Sequence, residues 1–153
     1  MLQAVKKSKT TKVGGSFAIV ASRYNARYVD GMLNAAEREL KRAGAKVRII
    51  RVPGAYEIPV VVAKLSTLSA KPAAIICLGV ILRGETTHAQ HIGEAVSQAL
   101  MQIQITHGVP VIHEVLLLEN QQQAEARCLA PKHNRGVEAA QTALTMARAL
   151  AQL

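Results

Sequence analysis

Residues 73–88 read AAIICLGVILRGETTH. The first six residues form an uninterrupted apolar run, which is typical of a strand that is buried on both faces of a parallel sheet. A polar turn over 79–88 follows and contains two glycines and two threonines. His88 then opens a segment with helical periodicity. A strand that runs through a turn into a helix predicts an α/β protein.

The rest of the chain repeats this alternation. Apolar segments predict four strands, over 16–21, 46–52, 73–78 and 109–118. Behind the first strand, apolar residues recur at helical spacing at Val29, Leu33, Ala36 and Leu40. Similar helical patterns follow the other three strands. Four strand–helix repeats predict a three-layer α/β/α sandwich around a four-stranded parallel sheet.

Length and composition predict one domain. The chain has 153 residues, of which 50% are hydrophobic and only 3% aromatic, so its core must be aliphatic and rich in alanine. We expect residues 1–12 to be a flexible basic segment and residues 13–153 to form the domain. No signal peptide or membrane span is expected, and Cys77 and Cys128 provide no disulfide framework. These features predict a cytoplasmic protein.

The formal net charge of +9 favours contact with anions. Part of this charge lies in the N-terminal segment, and part lies on helix faces that we expect to be solvated. The sequence contains no zinc-ligand spacing, aromatic RNA-binding motif or helix-turn-helix signature. Nucleic acid is therefore not expected as a partner.

The predicted topology also locates a ligand site. In an open α/β sheet, ligands bind beyond the carboxyl ends of the strands. The loops at those ends are 22–28, 53–57, 79–88 and 117–120, and the polar and glycine-rich residues of the chain concentrate in them. We therefore expect one site at this edge of the sheet.

The turn before His88 could bind an anion. Glycines permit close approach of the backbone to a ligand, and a helix start presents free N–H groups. His88 could transfer protons beside such an anion, but a surface histidine at a helix start would look the same. His88, His91 and Glu94 lack the usual i, i+4 spacing of metal ligands, so no metal is expected.

Three other positions add chemical groups to the same edge. Tyr24 with Asn25 and Tyr56 with Glu57 follow the first two strands, and each pair could hold a planar heterocycle or fill an ordinary turn. The guanidinium of Arg127 suits phosphate, although a surface ion pair is the commoner use of such a residue.

These segments together resemble the lumazine synthase family. The resemblance covers about residues 17–146. Its motifs are SRYN at 22–25, VPGAYEIP at 52–59, LGVILRGETTH at 78–88, and QAEAR at 123–127 followed by NRG at 134–136. Four motifs in this order make the match specific.

The resemblance implies a flavodoxin-like fold and a transferase of riboflavin biosynthesis. Its reaction, the penultimate step, condenses 5-amino-6-(D-ribitylamino)uracil with 3,4-dihydroxy-2-butanone 4-phosphate to 6,7-dimethyl-8-ribityllumazine. The family uses no cofactor. The implied proton-transfer residue is His88. The implied substrate-binding residues are Tyr24, Asn25, Ala55, Tyr56, Glu57, Val80, Ile81, Leu82, His113 and Arg135. The implied phosphate-binding residues are Gly84, Glu85, Thr86 and Arg127.

The chain also departs from the family pattern. His113 stands where the family has a phenylalanine, Ala89 where it has an aromatic, and Arg135 where it has a lysine. The run after His113 reads EVLLL instead of the usual GVLTT, and Pro131 replaces a common lysine. These differences favour, as an alternative, a diverged scaffold that binds a flavin or lumazine with weak or no catalysis.

The resemblance further implies a homo-oligomer. The family forms pentamers, and some members build decamers or icosahedral shells of 60 chains. Each site lies between subunits, and the neighbour supplies the residue at position 113. Residues 10–14 could add a strand to the neighbouring sheet. Riboflavin synthase is a candidate partner.

Overall fold

The computed structural model describes residues 3–6 and 15–153, which contain one four-stranded parallel sheet. Its strands are β1 (Ser16–Ser22), β2 (Lys46–Val52), β3 (Ala74–Leu82) and β4 (Val111–Leu118), in the order β2-β1-β3-β4. The helices are α1 (Ala26–Arg42), α2 (Ile58–Ser66), α3 (His88–His107), α4 (Gln121–Cys128) and α5 (Arg135–Ala151). A short 3₁₀ turn, Ala55–Glu57, precedes α2. The predicted flavodoxin-like sandwich is confirmed.

Two aliphatic cores cover the two faces of the sheet. Because side chains alternate along a strand, Ile19 packs into the core beneath α1 and α5, and Val20 packs into the core beneath α2 and α3. Both residues have no solvent exposure. Burial on both faces explains why the inner strands appear in the sequence as continuous apolar runs.

The predicted turn over 79–88 is wrong in its first four residues. Residues 79–82 continue β3 and pair with Val115–Leu118 of β4. Val80, Ile81 and Leu82 prolong the apolar run and favour an extended backbone. The polar connection to α3 is therefore only residues 83–87.

The predicted start of β4 at position 109 is also wrong. The strand begins at Val111 because Pro110 has no N–H to donate to a sheet ladder. The Pro110 carbonyl still accepts a hydrogen bond from Ile75 N at 2.8 Å. The edge strand therefore stays aligned with β3 just before its regular pairing begins.

Close contact between α1 and α5 depends on glycine. A Cβ atom at Gly136 would collide with the carbonyl group of Met32, whose carbon would lie 2.7 Å away. The side chain of Asn134, just before α5, accepts a hydrogen bond from Gly136 N and donates to the carbonyls of Gly31 and Cys128. Asn134 therefore caps α5 and ties it to both α1 and α4.

Residues 3–6 lie against the loop before α5. Val5 N donates to Lys132 O at 3.0 Å. Residues 7–12 of the segment predicted to be flexible lie outside the described residues, as does the strand expected at 10–14. The division at residue 12 therefore stays a prediction. Within the described part of the chain, no helix combines the length and apolar character needed to cross a membrane.

Candidate active site

An open cavity of about 970 Å³ lies at the carboxyl edge of the sheet, where the topology predicted it. The ends of β1, β2 and β3 and the first turns of α3 surround it. The structure brings together eleven predicted residues along its wall: Tyr24, Asn25, Ala55, Tyr56, Glu57, Val80, Ile81, Leu82, Gly84, Thr86 and His88.

Four predicted residues lie outside the cavity wall: Glu85, His113, Arg127 and Arg135. Glu85 is exposed in the turn before α3. The other three lie on β4, α4 and α5. The loop that follows β4 contributes nothing to the wall, so one chain supplies three of the four predicted loops.

Asn25 joins two of the strand ends. It is the only non-glycine residue with a positive φ in the described part of the chain, at φ 57° and ψ 42°. Asparagine tolerates this left-handed conformation better than most residues. Its side-chain amide donates to Val80 O at 2.7 Å. This bond ties the loop after β1 to the end of β3 at the floor of the cavity.

The backbone of β3 is open on the cavity side. Pairing with β1 ends at Leu78, whereas pairing with β4 continues to Leu82. Successive residues of a strand direct their backbone groups to alternate sides. Because Val80 O faces the Asn25 side chain, the N–H and C=O of Leu82 face the same side, toward the cavity.

Two exposed tyrosines flank the cavity. Tyr24 is 74% exposed and Tyr56 is 64% exposed. Next to Tyr56 in the chain, Glu57 Oε2 accepts a hydrogen bond from Gly54 N at 2.9 Å and closes the 3₁₀ turn. The other oxygen, Oε1, has no hydrogen-bond partner among residues 3–6 and 15–153 and can accept from a ligand. Aromatic rings beside a carboxylate suit a planar molecule with hydroxyl groups.

His88 is the first residue of α3. Its backbone N–H donates a hydrogen bond to Thr86 Oγ1 at 3.3 Å, and its side chain is exposed at the cavity wall. The first turn of this 20-residue helix carries N–H groups that have no partner within the helix. An anion and a proton-transfer group could therefore meet here.

The cavity wall includes helix residues that were not predicted as site residues. His91 and Ile92 lie one turn beyond His88, and Ala95 lies two turns beyond it. From the sequence, His91 was weighed only as a metal ligand, and no role was predicted for Ile92 or Ala95. Their i+3, i+4 and i+7 spacing from His88 is the signal that could have identified them. Among the described residues, no group of three or more His, Cys, Asp or Glu could hold a metal ion.

His113 lies on the α3 side of β4, away from the cavity. Ser97 Oγ donates to Gly93 O at 2.8 Å and contacts His113 Nε2 at 2.8 Å. Since the hydroxyl proton is used, His113 Nε2 is the donor, and Nδ1 can accept from Val115 N at 3.4 Å. Partial burial lowers the pKa of His113. Both effects favour the neutral imidazole.

Arg135, the first residue of α5, contacts β4 from the opposite face of the sheet. Its Nε and Nη2 donate to the two carboxylate oxygens of Glu114, each at 3.1 Å, and its Nη1 donates to Glu138 at 2.6 Å. Burial raises the pKa of Glu114 to about 7, although Arg135 opposes this shift. Burial alone would lower the pKa of Arg135, but Glu114 outweighs it and raises that pKa.

Arg127, in contrast, has no carboxylate partner among the described residues. Its Nη1 reaches only Gln123 O, at 3.5 Å, one turn back on α4. The side chain is half-buried, so the guanidinium can accept an external anion without first breaking an ion pair.

This arrangement defines a class of protein. An α/β domain with an open cavity at a strand-end edge, lined by aromatic rings, a free carboxylate oxygen and a histidine at a helix start, is an enzyme of the kind that acts on a small polar heterocycle and an anion.

Sequence comparison identifies the family. The profile of 6,7-dimethyl-8-ribityllumazine synthase matches residues 14–151. A 6,7-dimethyl-8-ribityllumazine synthase of Stenotrophomonas maltophilia strain R551-3 is 41% identical over 146 residues, covering 94% of each chain. An enzyme of the same name from Xylella fastidiosa strain 9a5c is 41% identical over 143 residues and 92% of each chain. The chain belongs to the 6,7-dimethyl-8-ribityllumazine synthase family.

Proposed function

We propose that this chain condenses 5-amino-6-(D-ribitylamino)uracil with 3,4-dihydroxy-2-butanone 4-phosphate at the strand-end cavity. The products are 6,7-dimethyl-8-ribityllumazine, phosphate and water, and the chain is a transferase of riboflavin biosynthesis. The single observation that carries this assignment is the meeting of Tyr24, Glu57 and His88 around one cavity. These groups match the heterocycle, the ribityl hydroxyls and the proton transfers of the reaction.

The uracil substrate fits the part of the cavity between β1 and β3. Its ring stacks on Tyr24, while the open backbone groups of Leu82 pair with polar atoms at its edge. The ribityl chain extends toward the 3₁₀ turn Ala55–Glu57. Glu57 Oε1 then accepts hydrogen bonds from its hydroxyls.

The phosphate substrate fits the start of α3. The turn at Gly84, Glu85 and Thr86 offers backbone N–H groups and a hydroxyl to its oxygens, and the helix start favours negative charge. Arg127 of an adjacent subunit would supply the balancing cation. The departing phosphate is then held by charge-assisted hydrogen bonds.

The reaction follows from this placement. The amine attacks the ketone, a Schiff base forms with loss of water, phosphate is eliminated, and ring closure releases a second water. Each step moves a proton, and we assign these transfers to His88, which lies at the cavity wall beside the turn proposed to bind phosphate. The reactants are inherently reactive, so much of the acceleration comes from holding them together.

The test of this function is direct. Purified protein is mixed with both substrates, and lumazine absorbance is followed in the steady state. An enzyme forms the product well above the uncatalysed rate. A protein that binds the lumazine but forms none above background would instead be a scaffold or carrier.

We further propose that the active unit is a homo-pentamer whose sites lie between subunits. The cavity in one chain is open, and Arg127, His113 and Arg135 lie outside it, where a neighbouring chain could use them. Native mass spectrometry is expected to give about 82 kDa for five chains of 16.4 kDa. A decamer would give about twice this mass, and a shell of 60 chains roughly twelve times.

Complementation between two inactive variants tests the shared site. His88→Gln and Arg127→Ala disable opposite halves of a site, so each homo-oligomer is expected to be slow. Co-expression mixes the chains, and about a quarter of the sites then combine two intact halves. Activity of the mixture that does not exceed the average of the two variants would show that one chain carries both halves.

Two further proposals concern the cellular context. Riboflavin synthase, which would consume the lumazine, is a candidate partner of the assembly. The free cysteines Cys77 and Cys128 are both buried, and burial raises the pKa of Cys128 to about 12. Unpaired thiols of this kind support a reducing compartment, which we propose to be the cytoplasm.

A further inference from the structure

Glu114 is a buried carboxylate in the edge strand of the sheet. It is 5% exposed and is the only acidic residue among the buried polar residues of the described chain. Burying a carboxylate is costly unless it is paired, and an apolar residue would fill this strand position at no such cost. The sequence motifs gave no role to this residue.

Glu114 fixes the orientation of Arg135. Both carboxylate oxygens accept hydrogen bonds from one edge of the guanidinium, at Nε and Nη2. Glu138, which lies on α5 together with Arg135, accepts a third hydrogen bond, from Arg135 Nη1. A guanidinium has five N–H donors, so two remain unused. The Arg135 side chain is 33% exposed, and those two donors are therefore available to a ligand at the surface.

Charged and titratable groups surround Glu114 on one side of the sheet. Arg135 and Glu138 face it from α5, and Cys128 faces it from α4 beside Arg127. Its neighbour in sequence, His113, turns to the opposite face and bonds Ser97. Arg127, which the proposed function places at the phosphate, and Arg135, which the family resemblance assigns to substrate binding, therefore lie on the same side of the sheet as Glu114.

We propose that Glu114 is a positioning residue of this reaction, which holds Arg135 so that its two unused donors meet the uracil substrate bound at the neighbouring subunit. The proposal rests on the proposed function, because it requires that Arg135 contacts the substrate. Glu114 itself touches no substrate. Its ionised form sets the position of the guanidinium, and its neutral form accepts fewer hydrogen bonds and releases it.

The pH dependence of substrate affinity tests this role. Because the pKa of Glu114 is about 7, the Michaelis constant for the uracil substrate is expected to fall about tenfold between about pH 5.5 and pH 8.5. This substrate is the readout because a phosphate ester itself titrates near pH 6. The other substrate is kept saturating.

Glu114→Gln mimics the neutral carboxyl group. At about pH 8.5, the Michaelis constant of this variant for the uracil substrate is expected to be about tenfold above that of the wild type. The Michaelis constant of the variant is expected to stay the same between about pH 8.5 and pH 5.5. Glu138→Gln makes the same acid-to-amide change on the solvent side of Arg135 and serves as the matched control. Its effect is expected to stay below about threefold because water screens that pair.

The free energy of unfolding provides an independent readout, because it is expected to fall over the pH range in which substrate affinity rises. The raised pKa means that the folded protein binds a proton at Glu114 more tightly than the unfolded chain. Stability from this group is therefore full below about pH 4.5 and is lost as the pH rises through about 7. The wild type should lose stability relative to Glu114→Gln over the same range in which its substrate affinity improves.

The outcomes separate this proposal from the proposed function. If the wild type forms lumazine but its Michaelis constant is flat with pH and equals that of Glu114→Gln, the positioning role is wrong and the enzyme assignment stands. Fluorescence titration with 6,7-dimethyl-8-ribityllumazine measures the same contrast without turnover. A wild type that neither forms nor binds the lumazine overturns both. Should Glu114→Gln fail to fold, the wild-type pH profile alone decides.

Discussion

Replacing His88 with glutamine is expected to slow lumazine formation about a hundredfold, with little change in the Michaelis constants. Glutamine retains a polar side chain of similar reach but cannot exchange a proton near neutral pH. General acid–base groups contribute roughly 10²–10⁴ to rate, and the low end applies because these reactants combine readily once they are held together. Steady-state absorbance of the lumazine gives both constants.

His91→Gln is the matched control for this change. His91 lines the same cavity from the next turn of α3, so the substitution alters the same wall with the same pair of residue types. Its rate is expected to stay within about threefold of the wild type, because no predicted step passes through it. Equal losses in the two variants would mean that the histidines act by shaping the cavity, and unchanged turnover in His88→Gln would refute the proton-transfer role.

Local sequence signals were sufficient to predict β1 and β2. The prediction of β2 matched the structure over 46–52, and that of β1 missed only Ser22. Errors arose where two signals competed. The glycine at position 79 was interpreted as the start of a turn, but it lies within β3, where an added Cβ atom would lie only 3.2 Å from the side chain of Val115.

The candidate site also contains residues that the sequence placed correctly and residues that it could not place. Residues that follow the carboxyl ends of β1, β2 and β3 were predicted together and do line one cavity, because the topology of a parallel sheet brings those ends to one edge. His113 and Arg135 were assigned by resemblance alone, and Arg127 by resemblance together with the suitability of a guanidinium for phosphate. A single chain gives no geometric reason to bring them to the cavity, and their roles stay predictions.

The motif at 134–136 shows a second limit of the sequence. By resemblance it supplied a substrate-binding residue, Arg135. The residues on either side of Arg135 serve the fold: Asn134 is 7% exposed and bonds three backbone groups, and Gly136 lies against Met32. A motif of three residues therefore combines a candidate ligand contact with two positions whose side chains are set by helix packing.

Gly136→Ala is expected to destabilise the protein by about 3 kcal/mol or more, the largest effect on stability that we predict. The added methyl group would overlap the Met32 carbonyl, which belongs to the backbone of α1 and cannot rotate away. Relief requires α5 to move away from α1, and this would open the core that both helices share with the sheet. The midpoint temperature of thermal unfolding should fall by roughly 10 °C for a domain of this size.

Gly93→Ala makes the same change in another helix and isolates the cause. A Cβ atom at Gly93 would meet Leu117 at 3.7 Å, an ordinary contact, so alanine there is expected to stabilise α3 by about 0.5–1 kcal/mol. Opposite signs in the two variants would attribute the loss at position 136 to the α1–α5 contact, since helix propensity favours alanine at both sites. If Gly136→Ala unfolds at the same temperature as the wild type, α1 and α5 do not pack as closely as this structure requires. The position of Arg135 beside Glu114 depends on that packing and would then also be wrong.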